Sequence, residues 1–405
     1  MIKMSEDKFM KASITLLFAY GLFNITNFFY HFFSARLLGP SQYSIVATLF
    51  SLVYLASIGS GAIQSTAAKF TAEFKMKNKN KIAFFFQRSF RKISLYSLAA
   101  LVFYILISPL IATFLKIPLS STLILGLAVI PLMLLPLSRG ILQGLQRFGA
   151  LGANTIIEGI VKLGLALFFI NLGFGASGTI AAVALSMVVA LLLVFPLLKF
   201  RKSEKYSKTK IALNKKELYR FSMLAFVALF LLTALYNIDI FLVKHFFSAE
   251  QAGYYAVLSL LGKIIFFGAT SFGAVMFPKV VEFETQNKNS KALFKKTIIF
   301  TFVVSLLILL IYWLLPRQII SAVFGPAYLN IANLLARFGF FMMLLSLAYI
   351  CVLHNLAKGK SKFIWILVMA VAAEILLITL FHASLTEIVN ILIALSALTL
   401  VLLSR

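Results

Sequence analysis

Six charged side chains stand inside runs of apolar residues: Glu158, Lys162, Asp239, Lys263, Arg337 and Glu374. A charge at the centre of a bilayer costs about 2.5–3.5 kcal/mol on insertion scales, so six turned to lipid would cost on the order of 15–20 kcal/mol. They are therefore expected to face an interior. Basic groups in such a place could capture an anion, with Arg able to grip a phosphate through parallel hydrogen bonds. Glu374, Asp239 and Glu158 are candidates for ion coupling. Glu374 has no basic residue within four positions on its helix, which nominates it as a group that takes up and releases a proton. Glu158 and Lys162 stand one helical turn apart, a spacing that equally suits a local ion pair. The six charges sum to zero, so a net positive interior needs neutral carboxyls or help from Arg36, Lys244 or protonated His31.

Two polar stripes accompany them. Tyr20, Asn24, Asn27 and His31 follow steps of 4, 3 and 4, and Asn330, Asn333 and Arg337 follow i, i+3, i+7, so each set shares one helix face. The functional reading is a polar cavity lining, joined by Asn237; the bland reading is interhelical hydrogen bonding. Pro131 and Pro136 interrupt the fourth apolar segment, as a cavity-lining bend or a static kink. The four histidines are scattered without metal-ligand spacing, and Cys351 is the only cysteine, so no metal and no disulfide is expected. No nucleotide-binding or hydrolase signature occurs in a plausible context, so no cofactor and no catalytic residue is expected.

The elements that must position these groups follow from composition. Of 405 residues, 61% are hydrophobic and 12% charged, and mean hydropathy is +1.00. An ordinary soluble domain is about a quarter charged, and a transmembrane barrel would alternate apolar with polar residues. An all-α polytopic membrane protein is predicted, with twelve spans near 10–34, 42–66, 93–115, 120–141, 150–171, 177–198, 221–243, 252–277, 297–316, 328–353, 363–381 and 386–404. The first run is too long for a signal-peptide core and reads as a retained span. With a cytoplasmic N-terminus, thirty Lys and Arg fall on the inner side and only Arg36, Lys116, Lys244 and Arg317 outside. That satisfies the positive-inside rule at every alternate loop and places both termini in the cytoplasm, with the protein in the cell membrane. The net charge of +26 is then a topology signal with some attraction to anionic lipid, and nucleic acid is not needed as a partner.

A basic loop at 199–220 divides the chain into lobes of six spans, 1–198 and 221–405. Ser41-Gln42-Tyr43-Ser44-Ile45-Val46-Ala47 aligns with Glu250-Gln251-Ala252-Gly253-Tyr254-Tyr255-Ala256 at an offset of 209. Lys69-Phe70-Thr71-Ala72-Glu73 meets Lys279-Val280-Val281-Glu282-Phe283 at 210, as Asn27 meets Asn237. Six spans per half imply a parallel repeat, a plan that places a site between halves that rock against each other.

The same residues carry a family resemblance. Ala35-Arg36-Leu37-Leu38-Gly39-Pro40-Ser41-Gln42-Tyr43 resembles the ARLLGPxxYG signature of oligosaccharide (polysaccharide) flippases. Asn237-Ile238-Asp239, Ala252-Gly253-Tyr254-Tyr255, Phe277-Pro278-Lys279, Leu142-Gln143-Gly144-Leu145-Gln146-Arg147-Phe148 and Phe324-Gly325-Pro326-Ala327-Tyr328 are also similar to that family. Ser44 departs from it, standing where the family usually has Gly. The resemblance implies the two-lobed fold of the multidrug/oligosaccharidyl-lipid/polysaccharide exporter superfamily and transfer of a polyprenyl-linked glycan to the outer leaflet. On that reading Lys263, Arg337, Lys162 and Arg36 receive the headgroup, the partners are a lipid-linked oligosaccharide, membrane lipids and glycan-assembly enzymes, and alternating access carries the substrate across. A cation-coupled multidrug exporter of the same superfamily is the alternative. It is disfavoured because the polar stripe of the first span has no carboxylate, and kept alive by Asp239, Glu158 and Glu374. A membrane glycan polymerase or ligase usually has a large external loop, and the outer loops here are short.

Overall fold

The apolar runs fold as helices because an amide in hydrocarbon has no water to bond and must be satisfied within its own segment. A computed structural model describes residues 6–77, 80–198, 215–286 and 288–404, which contain no strand. Most of the expected linker, 199–214, lies outside the described residues.

The first helix, α1 (Glu6–Lys77), has an apolar stretch of 58 residues, Phe18–Lys75. That is roughly 87 Å of helix, nearly three times a hydrocarbon core of about 30 Å. Gly39 breaks it with φ 73° and ψ 173°, a left-handed φ that glycine adopts at little cost, and Pro40 follows at once. One long run thus becomes spans 1 and 2. Among the described residues eleven helices are long and apolar enough to cross a membrane; counting α1 twice gives the twelve spans expected.

The chain divides into two compact units, Met1–Leu38 with Leu52–Leu213, and Gly39–Ser51 with Asn214–Arg405. The stretch after the Gly39 break, Gly39–Ser51, groups with the second set of six spans.

In the first unit the break is followed by α2 (Asn80–Leu115), α3 (Leu119–Gly126), α4 (Val129–Gly144), α5 (Phe148–Asn171) and α6 (Gly175–Leu198). The interruption of the fourth span falls between α3 and α4, ahead of Pro131, while Pro136 sits inside α4. Small residues let these helices approach without much hydrophobic drive between them. A side chain on Gly140 would overlap the Gln64 carbonyl, and one on Gly144 the Ala68 carbonyl and Thr71, so α4 lies directly on α1. Val102, Phe103, Leu106 and Leu110 are exposed on α2, as a lipid-facing surface requires.

The second unit contains α7 (Lys215–Ala234), α8 (Ile238–Phe246), α9 (Ala249–Thr285), α10 (Lys291–Leu314), α11 (Pro316–Phe324), a 3₁₀ turn (Pro326–Ile331), α12 (Ala332–Ala357), α13 (Phe363–Leu380) and α14 (Leu385–Ser404). Helix α12 is central and packs on α9, α10 and α14. A reciprocal pair of Ser248 and Gln251 hydrogen bonds starts α9. A Cβ on Gly253 would collide with the Pro40 backbone, so the two stretches that carry the repeat also touch.

Candidate functional site

Span 7 is discontinuous. Helix α7 stops at Ala234 and α8 starts at Ile238, with Asn237 at its N-cap. The Asn237 side chain does not cap the helix. Its Nδ2 donates to the Thr233 carbonyl at 2.8 Å and its Oδ1 accepts from Lys263 Nζ at 3.0 Å. Asp239 lies in the first turn of α8, where a helix dipole favours negative charge. Its Oδ2 accepts from the Tyr255 hydroxyl at 2.6 Å, and Lys263 and Glu374 both act on it electrostatically. Asn237, Asp239, Tyr255, Lys263 and Glu374 are all buried, as Lys263 is also under the Tyr236 ring at 5.5 Å. Asp239 Oδ1 and Glu374 Oε1 have no hydrogen-bond partner among the described residues. A cavity of about 10 Å³ opens beside Glu374, lined in part by Ser396 and Thr399 of α14. The cluster thus gathers two carboxyls with an unmet oxygen each and one ammonium, in a place where unmet polar atoms are costly. Such an arrangement can exchange a proton or accept a small cation.

The first unit gathers a different set. Lys162 of α5 feels the charge of Glu158 one turn away and also reaches another helix. Its Nζ donates to Asn27 Oδ1 of α1 and lies over the rings of Phe23 (4.8 Å) and Tyr30 (5.5 Å). Glu158 is taken by Arg139 of α4, with NH2 to Oε2 at 2.7 Å. Arg139 also donates through Nε to Asn154 Oδ1 at 2.8 Å, and Asn154 Nδ2 reaches the Ala190 carbonyl of α6 at 2.8 Å. The guanidinium ties α4 to α5, and Asn154 carries the tie on to α6. Arg139, near the end of the fourth apolar segment, lies inside α4 and is half-buried. This cluster therefore holds two bases, the half-buried Arg139 and the buried Lys162, to one buried acid, Glu158.

Lys244, assigned by charge to an outer connection, is 2% exposed in the last turn of α8 and donates to Ser44 Oγ at 2.9 Å. Ser44 in turn donates to the Ser41 carbonyl at 2.6 Å. The serine that departs from the family pattern thus supplies an oxygen that glycine could not.

The polar stripes divide. On α1, Tyr20 and Asn24 are exposed, Asn27 is half-buried against Lys162, and His31 is buried edge-on to Tyr30. Arg36 is exposed and lies over Phe32 at 5.9 Å. Asn330, Asn333 and Arg337 all remain exposed on one face. Arg337 was expected to pack in an interior among the helices; it lines an open apolar groove instead, because its neighbours on α10 and α14 are Leu309, Leu310, Trp313 and Ile393. Sequence reasoning missed Arg139, Tyr255 and Tyr236. Tyr255 stands eight residues before Lys263, two turns along the same face, which was the available signal.

A family model described as "Polysaccharide biosynthesis protein" matches residues 33–333, well over half of the chain. The chain belongs to that family. Its fold is similar to an inward-facing multidrug resistance MATE transporter of the MOP superfamily, with TM-score 0.73, 13% identity, and 94% of this chain and 92% of the other covered. It is also similar to the lipid II flippase MurJ in an inward closed conformation, with TM-score 0.70, 15% identity and coverage of 97% and 86%. A MOP-superfamily transporter from Pyrococcus furiosus matches at TM-score 0.56, 14% identity, with 98% and 94% covered. No curated protein matches the sequence. The chain is a multi-pass, all-α membrane protein with the fold of these transporters.

Proposed function

We propose that this protein is a flippase that moves a polyprenyl-(pyro)phosphate-linked oligosaccharide to the outer leaflet by alternating access, for assembly of a cell-surface polysaccharide or glycoconjugate. The observation that carries the reading is the different charge balance of the two clusters in a polysaccharide-biosynthesis chain. Because the half-buried Arg139 engages the buried Glu158, the cluster it forms with the buried Lys162 holds one more base than acid, which suits it to an anionic headgroup. Lys162 exchanges the Asn27 carbonyl for a phosphate oxygen. The second unit balances Lys244 and Lys263 against Asp239 and Glu374 and suits ion coupling rather than anion capture. The expected headgroup role of Lys263 is thereby narrowed to holding the Asn237–Asp239 turn. Glu158 acts as a brace rather than a coupling group. The orientation is N-terminus inside, as the charge count requires, and the work is transport, not catalysis.

The test is reconstitution into vesicles with a fluorescent lipid-linked oligosaccharide, scoring headgroups that reach the opposite leaflet. Wild type is expected to accelerate transfer and Lys162→Gln to slow it about tenfold or more, the worth of one hydrogen bond to a charged group. Equal transfer by wild type and Lys162→Gln would overturn the anion-capture reading.

The unmet oxygens of Asp239 and Glu374 favour a second reading, a cation-coupled multidrug exporter. Dye efflux by the same vesicles under an ion gradient, without glycolipid transfer, would establish that reading instead.

A further inference from the structure

Arg337 is exposed near the start of α12, five residues into the helix, or about 8 Å along its axis. It lines a groove of about 320 Å³ with Leu309, Leu310 and Trp313 of α10, Phe340 of α12 and Ile393 of α14. A volume of this size is in the range of ligand sites, and its walls are hydrocarbon apart from the guanidinium. Among the described residues no carboxylate lies in an ion pair with Arg337. Asn333, one turn nearer the start of α12, and Asn330, in the 3₁₀ turn just before it, are also exposed and continue the polar character from Arg337 toward the end of the span. Trp313 is 66% exposed, one residue from the end of α10, the level at which tryptophan marks a membrane interface. A guanidinium at this depth extends outward to the level of the lipid phosphates while its stem stays in the apolar wall.

We infer that this groove holds an anionic phospholipid of the leaflet next to α11, with the phosphate on Arg337, the headgroup along Asn333 and Asn330, and an acyl chain beside Trp313. Charge complementarity selects the occupant: a positive group in an apolar trough fits a molecule that is anionic at one end and hydrocarbon at the other. The inference stands whether or not the protein is a flippase, since the site is built within the second unit alone.

The chain supplies its own probe. It has two tryptophans, so Trp365→Phe leaves Trp313 as the only one. This variant is reconstituted into vesicles with brominated phosphatidylglycerol or brominated phosphatidylcholine, and quenching of Trp313 is read against lipid fraction. The expected result is about fivefold preference for phosphatidylglycerol at the groove, the contribution of one basic residue near the membrane surface. Arg337→Gln is expected to abolish the preference while quenching by phosphatidylcholine stays unchanged, which shows that the face is intact. Arg337→Lys is expected to retain part of it, because the charge remains and the fork is lost. Equal quenching by the two lipids in the parent, or an undiminished preference in Arg337→Gln, would overturn the inference. So would quenching relieved by a lipid-linked oligosaccharide but not by excess phosphatidylglycerol.

Discussion

Removing the Arg139 guanidinium tests whether Glu158 is a structural brace. Arg139→Met deletes the 2.7 Å contact to Glu158 and the 2.8 Å contact to Asn154 Oδ1. The side chains are 14% and 6% exposed, so the carboxylate left behind has little access to water. Breaking one side of a buried pair costs about 3–5 kcal/mol, because the partner's charge is left uncompensated. The double variant Arg139→Met with Glu158→Leu removes both charges and is expected to recover most of that loss, ending within about 1–2 kcal/mol of wild type. Cys351, the one cysteine and 2% exposed, lies in the second unit, so labelling by a thiol-reactive dye reports whether the loss in the first unit spreads there. Circular dichroism on the same samples reports loss of helix across the whole chain. Strictly additive losses in the two single variants, or a single variant within about 1 kcal/mol of wild type, would refute the brace and return Glu158 to the candidates for ion coupling.

Other outcomes follow from the same geometry. Gly253→Val is expected to destabilise the second unit by about 1–3 kcal/mol or more, because its side chain meets the Pro40 backbone, which cannot rotate away; Cys351 labelling checks it. Ser44→Gly withdraws the oxygen that accepts from Lys244 and is expected to cost about 1–3 kcal/mol, with Lys244→Met offsetting part of the loss. Glu374→Gln is expected to retain fold and binding but to lose the dependence of transport on the ion gradient; unchanged gradient dependence would remove Glu374 from the coupling role.

The architecture was legible because hydrocarbon imposes long apolar runs and the positive-inside rule punctuates them. The twelve spans follow from the first constraint, whereas the motif around Gly39 was legible through the family resemblance. What the sequence hid were choices among neighbours in space. Glu158 and Lys162 looked like a local pair at helical spacing, yet each found a partner on another helix. Arg139 was hidden because it stands two residues from the end of the fourth apolar segment, 120–141, where a base reads as a boundary charge. Arg337 shared a polar stripe with Asn330 and Asn333, and the stripe is real, but periodicity fixes which residues share a face and not what that face meets. The break at Asn237 carries neither Gly nor Pro, so its only mark was an Asn two residues before an Asp, a weak helix-start signal. The Gly39–Ser51 stretch groups with the second unit because Pro40 fits Gly253 and Ser44 fits Lys244, contacts that span about 200 positions of sequence.

The division of labour between the two buried clusters is tested most directly by measuring binding and transfer of the same fluorescent lipid-linked oligosaccharide in parallel. The account predicts that Lys162→Gln lowers affinity by about tenfold or more, while Glu374→Gln binds as wild type does and fails to drive transfer. Full affinity in Lys162→Gln, or lost affinity in Glu374→Gln, would contradict it.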